Sequence, residues 1–291
     1  MQSSEERARI AAIGRVLAPE VLAGTYEVYR AEQERLAAGQ PADAADLAYG
    51  DDPRQRLDLY RPQATTSPAP ILLWVHGGGF LRGEKSSPDH PYNAHVGRWA
   101  ARSGMLSAVV NYRLAPAHVW PAGGDDIVSA VAWLRAHAAE WGGDPDRIVL
   151  AGTSAGATHV CASLTGGVPS GVRAAILLSG VYGVTPLEGR DVLYYGPQDH
   201  YAERRPLDTV IATELPLFVT GAEFDPPRFQ AELVGLLAAR LERHGRLPRT
   251  AIVSGHNHFS LAYHLGTADT RLADELLGFI AEVLALREQQ P

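Results

Sequence analysis

The stretch Arg147-Ile-Val-Leu-Ala-Gly-Thr-Ser-Ala-Gly156 decides which fold this sequence predicts. Its apolar first half is typical of a buried strand, and residues 155–165 after it have helical character. Gly152 and Gly156 lie two residues before and after Ser154, where a sharp strand-to-helix turn leaves no room for side chains. The pattern therefore predicts that the Ser154 hydroxyl is exposed at a strand end, beside the Ala155 amide and the positive end of a helix.

Strands and helices alternate on both sides of this turn. Further strands are expected at 46–49, 55–60, 70–75, 106–111, 173–179, 215–220 and 250–254. Helices are expected at 125–141, 155–165, 227–244 and 268–288, and a loop at 61–69. Such alternation predicts an α/β fold, in which helices cover both faces of a mostly parallel sheet.

Two segments do not fit the alternation. Residues 5–40 predict two helices parted near Pro19, which are either a simple packing pair or one wall of a lid. Residues 184–213 are rich in proline and charge and too long for a simple crossover, so we expect an insertion that covers a cleft. The expected organisation is an N-terminal helical segment over 1–45 and a main domain over 46–291.

Composition narrows the range of partners. The 291-residue chain carries a net charge of −7, which argues against nucleic acid and anionic membranes as partners. It has no apolar run of about 18 residues that could span a membrane. Its polar start lacks a secretory signal, so a cytoplasmic location is expected. The single cysteine, Cys161, excludes an internal disulfide and is expected to be buried and unreactive.

The glycines of His76-Gly-Gly-Gly-Phe80 directly follow the strand that ends at Val75. Three consecutive glycines can present bare backbone N–H groups to a ligand. Such donors stabilise the oxyanion of a tetrahedral intermediate, and losing one costs about 3 kcal/mol. We expect the His76 ring to hold this loop by hydrogen bonds, since a catalytic base must lie beside Ser154.

A serine nucleophile needs a base and a carboxylate that orients the base. Two acids, Glu223 and Asp225, follow the strand at 215–220, and two histidines, His256 and His258, follow the last strand. The residues alone leave both choices open.

The alternative to a catalytic role for these histidines is a metal site formed by His256, His258 and His264. It is not favoured, because no carboxylate stands nearby at ligand spacing. No metal or other cofactor is expected.

Four motifs together resemble the α/β-hydrolase fold and, within it, the hormone-sensitive-lipase-like esterases, over roughly residues 46–288. They are His76-Gly-Gly-Gly-Phe80, Asn111-Tyr-Arg-Leu-Ala-Pro116, Pro121 with Asp125-Asp126, and Gly152-Thr-Ser-Ala-Gly156. Tyr49-Gly-Asp-Asp-Pro53 and Leu57-Asp-Leu-Tyr60 also resemble bacterial esterases and kynurenine-formamidase-like members. The resemblance implies a central sheet of about eight strands.

The resemblance also assigns roles within the triad. Its Glu-x-Asp-Pro pattern selects Asp225 as the acid, with Glu223 in reserve, and its His-Phe pattern selects His258 over His256.

The oxyanion donors implied by the resemblance are the amides of Gly78, Gly79 and Ala155, with Gly77 a further candidate. Arg113, Asp125 and Asp126 belong to family-like motifs, and we interpret them as a structural charge network.

The expected activity is hydrolysis of carboxylic esters with short to medium acyl chains by a Ser154–His258–Asp225 triad. The alternatives are arylformamidase-type amide hydrolysis and, more remotely, ligand binding without catalysis. The expected partner is a small-molecule ester, and the resemblance leaves a homodimer open.

Aromatic residues on loops are expected to border an apolar substrate pocket. They are Phe80, Trp120, Tyr182, Tyr194 and Tyr195. The alternative is that these rings only pack in the protein interior.

Overall fold

A computed structural model describes residues 2–63 and 68–288, so residues 64–67 of the expected loop lie outside it. Eight strands form one sheet in the order β1-β2-β4-β3-β5-β6-β7-β8. The strands are β1 (Ala44–Ala48), β2 (Arg56–Tyr60), β3 (Ala69–Val75), β4 (Leu106–Val110), β5 (Gly143–Thr153), β6 (Val172–Leu178), β7 (Leu217–Phe224) and β8 (Arg249–Asn257). The β1–β2 and β2–β4 pairs are antiparallel, and all other neighbours are parallel.

Helices surround this sheet. They are α1 (Ser4–Ile13), α2 (Pro19–Ala37), α3 (Ala94–Arg102), α4 (Ala122–His137), α5 (Ala155–Ala162), α6 (Val192–Tyr195), α7 (Gln198–Arg204), α8 (Leu207–Ala212), α9 (Pro227–His244), α10 (Ser260–Tyr263) and α11 (Arg271–Glu288). Within the described ranges, no helix combines the length and apolar character needed to cross a membrane.

The central strands are apolar throughout because both of their faces are covered. Along β3, Ile71 and Leu73 pack into a core that includes residues of α4, α5 and α9. Leu72 and Trp74, between and beyond them, pack into a second core that includes residues of α3 and α11. Successive side chains of a strand point to opposite faces, so a continuous apolar run is what a doubly covered strand requires.

The predicted α/β architecture is confirmed, with eight strands in a mostly parallel sheet. Strand β5 is longer than the predicted 147–151, and α3 was not predicted. The buried surface of α3 includes His95 and Gly97, which weakens its apolar pattern. Gly97 is needed there because a Cβ would lie 2.4 Å from the Tyr60 ring.

The two N-terminal helices pack beside the last strand. Helix α1 begins with a Ser3–Glu6 capping box, and α2 begins at Pro19, where a missing N–H costs nothing. The Arg7 guanidinium lies 2.8 Å from the Glu223 carboxylate of β7. Gln33 of α2 donates to two carbonyl oxygens at the end of α10. These contacts join the N-terminal helices to the end of the sheet where β7 and β8 finish.

The segment 184–213 holds the short helices α6, α7 and α8. Its start is fixed by Glu232 of α9, a fully buried carboxylate. The two oxygens of Glu232 accept hydrogen bonds from the four backbone amides of residues 182–185. Backbone donors thus compensate the buried charge and hold the insertion against the sheet.

Candidate active site

Ser154 lies in the tight turn between β5 and α5. Its backbone has φ 54° and ψ −125°, a conformation that a residue with a side chain rarely adopts. A Cβ on Gly152 would lie 2.6 Å from the Gly156 backbone, and one on Gly156 would lie 2.1 Å from the Val75 carbonyl oxygen. Both glycines are therefore required by close backbone contact, and the strained turn holds the Ser154 side chain at the strand end.

His258 and Asp225 form a buried pair at the ends of β8 and β7. The distance from His258 Nδ1 to Asp225 Oδ1 is 2.9 Å. The second oxygen, Asp225 Oδ2, accepts hydrogen bonds from the Ser179 hydroxyl at 2.6 Å and the Ala222 amide at 2.7 Å. The Phe229 ring packs on the imidazole with 4.1 Å between ring centroids. The carboxylate and the imidazole are therefore both held in one orientation.

Ser154 and His258 line the same cavity. Among the described residues, no hydrogen bond joins the Ser154 hydroxyl to the His258 imidazole. Contacts between a nucleophile and its base are often long in a free enzyme and shorten when substrate binds.

Gly77, Gly78 and Gly79 of the glycine loop line this cavity, and so does Ala155 at the start of α5. Within the described residues, the amides of Gly78, Gly79 and Ala155 donate no hydrogen bond to the protein. Gly78 has φ 140°, and a Cβ there would lie 1.8 Å from the Arg82 carbonyl oxygen. The loop can therefore hold this shape only with glycine, and its N–H groups remain available to an oxyanion.

His76 supports the loop from behind. Its Nδ1 lies 2.7 Å from the Gly77 carbonyl oxygen, and its ring stacks on Tyr112 with 4.4 Å between centroids. Burial lowers the pKa of His76 to about 4, so the ring is neutral at pH 7 and Nδ1 can donate to that carbonyl. His76 does not line the cavity.

Glu223, the alternative acid, and His256, the alternative base, have other partners. Glu223 binds Arg7 and accepts a hydrogen bond from the Gly255 amide at 2.7 Å. The hydrogen bond from Arg7, followed by that from Gly255, lowers the pKa of Glu223 to about 2. His256 is fully buried, with Nε2 3.1 Å from the carboxylate of Asp269. Neither Glu223 nor His256 lines the cavity.

A carboxylate does lie beside the histidines, contrary to the sequence-based expectation. The cluster consists of His256, His264 and Asp269, whose ligand atoms lie within 4.8 Å of one another, and His258 is not part of it. The Arg271 guanidinium donates to both oxygens of Asp269, at 2.8 Å and 2.7 Å, and lies 3.4 Å from His256 Nε2. A bound cation would face this guanidinium, so the residues present do not fit a metal ion.

Four of the five aromatic residues predicted to border the pocket do not line it. Only Phe80 does. Tyr182 packs in the core on one face of the sheet, and its amide donates to Glu232. Tyr194 stacks on Phe80 with 4.6 Å between centroids, and Trp120 stacks on Tyr195. These last three rings form a layer behind Phe80, so they support the cavity wall rather than contact its contents.

The predicted charge network is present in part. Asp126 is fully buried and binds the Arg113 guanidinium at 2.8 Å. Asp125 is exposed and pairs with no cation in the described part of the chain. Cys161 is buried, and burial raises the pKa of its thiol.

The cavity has a volume of about 600 Å³, in the usual range for small-molecule sites. Leu17, Leu22 and Tyr26 come from the N-terminal segment, and residues 188–191 come from the insertion. The N-terminal segment, predicted to be either a packing pair or one wall of a lid, and the insertion, predicted to cover a cleft, therefore both contribute to the cavity wall.

Sequence reasoning missed Ser179 and Phe229, which contact the Asp225–His258 pair, and much of the cavity wall, including Arg82 and Arg190. Ser179 directly follows β6, at the carboxyl end where polar residues of a parallel sheet gather, and that position was a usable signal. Phe229 lies near the start of α9, and nothing in its sequence context distinguishes it from a core residue.

Comparisons with known proteins find similar sequences among ester hydrolases. The BD-FAE family model matches residues 57–170. The probable carboxylic ester hydrolase LipM of Mycobacterium tuberculosis is 36% identical over 162 residues, which is 50% of this chain and 36% of LipM. Esterase LipQ of the same organism is 30% identical over 213 residues, 64% of this chain and 49% of LipQ. The matches thus span less than half the length of these curated relatives.

Solved structures resemble the whole chain. A bacterial heroin esterase has a TM-score of 0.66 and 26% identity and covers 97% of this chain and 98% of its own. Phosphonate-inhibited esterase B from Lactobacillus rhamnosus has a TM-score of 0.72 and 18% identity and covers 99% of this chain and 98% of its own. The fold and its serine turn define an α/β hydrolase. Within that fold, the chain is similar to carboxylic ester hydrolases over part of its length.

Proposed function

We propose that this protein hydrolyses carboxylic esters of short to medium acyl chains, with Ser154 as nucleophile, His258 as base and Asp225 as the residue that orients the base. The observation that carries the proposal is the arrangement around one cavity. The strained serine turn, the His258–Asp225 pair at 2.9 Å and a row of amides without protein partners all meet there.

In the first half of the reaction, the Ser154 hydroxyl oxygen attacks the ester carbonyl carbon while His258 Nε2 takes its proton. The carbonyl oxygen becomes an oxyanion that accepts hydrogen bonds from the amides of Gly78, Gly79 and Ala155, with Gly77 beside them. The tetrahedral intermediate then breaks its bond to the alcohol oxygen. His258 returns the proton to that oxygen, and the acyl group stays on Ser154.

In the second half, a water molecule attacks the acyl carbonyl and gives its proton to His258. The bond to Ser154 breaks, the serine oxygen regains the proton, and the carboxylic acid leaves. Asp225 accepts the Nδ1–H of His258 throughout and offsets the positive charge that forms on the imidazole. Every step uses groups of this chain, the ester and water.

An acyl-chain series tests the proposal. 4-Nitrophenyl acetate, butyrate and octanoate would be assayed with the wild-type protein and with Ser154→Ala, His258→Ala and His256→Ala. We expect Ser154→Ala and His258→Ala to lower kcat by about 10⁴-fold or more, as removal of a triad member does. His256→Ala should keep most of the turnover per folded molecule, because His256 bonds to Asp269 outside the cavity.

A covalent fluorophosphonate probe provides a second measurement. Labelling should require Ser154 and should slow sharply in His258→Ala. Full turnover by His258→Ala together with loss in His256→Ala would show that the base is misassigned. An unlabelled wild-type protein that hydrolyses none of the esters would instead support the non-catalytic ligand-binding alternative.

The amide alternative uses the same groups, and turnover of N-formylkynurenine against the ester series separates it. The relatives reported above carry esterase names, which does not favour it. A cytoplasmic location and a homodimer stay predictions.

A further inference from the structure

Charged side chains lie on the wall of the cavity, among backbone, apolar and uncharged polar groups. Arg228 is neutralised by Asp191, at 2.6 Å, and by Glu188, at 3.7 Å. Glu84 is neutralised by Arg54 at 2.8 Å. Arg228 thus faces two carboxylates and Glu84 faces one guanidinium, so neither group offers an unpaired positive charge to a substrate.

Two further guanidinium groups on this wall lack such partners. Across the described residues, Arg82 and Arg190 form no hydrogen bond and no ion pair through their side chains. Both residues are exposed, and both line the cavity that contains Ser154. Their charges are therefore available to a bound molecule.

The positions of these two arginines bring charge close to the reacting groups. A Cβ built on Gly79 would lie 3.2 Å from Arg190 Nε and 3.3 Å from its Nη2, so this guanidinium rests against the glycine loop. Arg82 belongs to the same loop and acts on Tyr26 and Tyr263 of the cavity wall. Burial raises the pKa of each phenol, and the charge of Arg82 opposes that rise.

We infer that the cavity selects esters that carry a carboxylate, and that Arg82 and Arg190 are the residues that recognise it. The inference rests on the proposed ester hydrolysis. A guanidinium matches a carboxylate with two parallel hydrogen bonds, and two unpaired ones raise the local concentration of anions. The charge of these two guanidinium groups is opposite in sign to the net charge of −7 of the whole chain.

Two matched substrate pairs test this inference. 4-Nitrophenyl hexanoate and mono-4-nitrophenyl adipate differ by a carboxylate on the acyl side, and phenyl acetate and 3-acetoxybenzoate differ by one on the alcohol side. The measured quantity is kcat/KM for the anionic ester divided by kcat/KM for its neutral partner. In at least one pair, Arg82→Gln and Arg190→Gln should each lower this ratio about fivefold, and the double variant more than tenfold.

Controls separate recognition from a general loss of activity or charge. Arg190→Lys keeps the charge but loses the paired hydrogen bonds, so its ratio should lie between those of the wild type and Arg190→Gln. Arg243→Gln removes one positive charge from an exposed position on α9, away from the cavity, and should leave the ratio within about twofold. High salt should lower the wild-type ratio, because screening weakens exposed charge pairs.

Binding without turnover gives an independent result. Adipate should bind the Ser154→Ala protein more tightly than its neutral diamide adipamide, and the double arginine substitution should abolish the difference. If the double variant keeps the wild-type ratio in both pairs, and adipate binds no better than adipamide, the inference is wrong while the proposed esterase stands. A wild-type protein that binds adipate but hydrolyses no ester would contradict the proposed function alone.

Discussion

At the scale of single residues, the orientation of Asp225 depends on a serine that takes no direct part in the proposed reaction. Ser179 has φ 45°, and its hydroxyl donates to Asp225 Oδ2 at 2.6 Å. The Ala222 amide donates to the same oxygen, so Asp225 Oδ1 is left to face His258. Two donors on one oxygen fix which oxygen the imidazole meets.

Replacing this donor should lower turnover without unfolding the protein. We expect Ser179→Ala to reduce kcat/KM for 4-nitrophenyl butyrate about tenfold, because Asp225 keeps one of its two supporting hydrogen bonds. The rate of fluorophosphonate labelling should fall by a similar factor, and the thermal midpoint should change by only a few degrees. Wild-type labelling by this variant would show that the hydrogen bond has no role in orientation.

At the scale of elements, the β5–α5 turn and the glycine loop after β3 form one unit. Gly156 at the start of α5 lies directly against the end of β3, where the loop begins. The Tyr112 hydroxyl donates to the His76 carbonyl oxygen and holds the other side of that loop. The serine and the oxyanion donors are therefore positioned by the same backbone contacts.

A methyl group at the contact between Gly156 and the end of β3 should disturb the serine turn and the glycine loop together. Gly156→Ala places a Cβ 2.1 Å from the Val75 carbonyl oxygen, so the backbone must move. We expect a loss of at least about 2 kcal/mol in the free energy of unfolding and a large fall in kcat.

The matched control for Gly156→Ala is Gly278→Ala. Gly278 lies within α11, and among the described residues no atom beyond the adjacent helix backbone lies within 4 Å of a Cβ built there. Alanine at this helical position should raise stability by up to about 1 kcal/mol. Urea denaturation of both variants measures the difference, and equal stability of the two would contradict the steric argument.

At the scale of the whole molecule, the covering of both sheet faces buries several histidines. His76, His95, His159 and His264 are almost fully buried. Burial lowers the pKa of His76 to about 4 and the pKa values of the other three to about 3, since the interior disfavours the charged form. These side chains are neutral in the folded protein well below the pH at which they would ionise in an unfolded chain.

Stability should therefore fall as the solution becomes mildly acidic. Below the unfolded pKa of about 6.5, the unfolded chain binds protons that the folded protein does not, so the free energy of unfolding decreases as pH falls. Between pH 6.5 and 5.5 each of the four histidines should contribute a loss of about 1 kcal/mol. Urea denaturation at several pH values measures this slope.

One substitution and one control test whether the buried histidines cause this pH dependence of the free energy of unfolding. His95→Gln should make the slope smaller by the share of one histidine, whatever its effect on stability at pH 7. His200→Gln alters an exposed histidine and should leave the slope unchanged. A free energy of unfolding that does not change between pH 6.5 and 5.5 would contradict the burial argument.

Much of this protein was determined by local sequence. The apolar runs and the turns between them predicted all eight strands, because an alternating α/β chain must cover both faces of a parallel sheet. The glycines around Ser154 and after His76 identified the turn and the loop, since only glycine tolerates backbone contacts as close as these.

Only the tertiary structure decided which side chains meet. The choice between His256 and His258 depended on a resemblance, and the two positions differ in space because one faces Asp269 and the other faces Asp225. The same holds for the aromatic residues, which are placed by packing against distant elements rather than by their own loops. Local sequence fixes backbone geometry, whereas contacts between distant residues depend on how the finished elements pack.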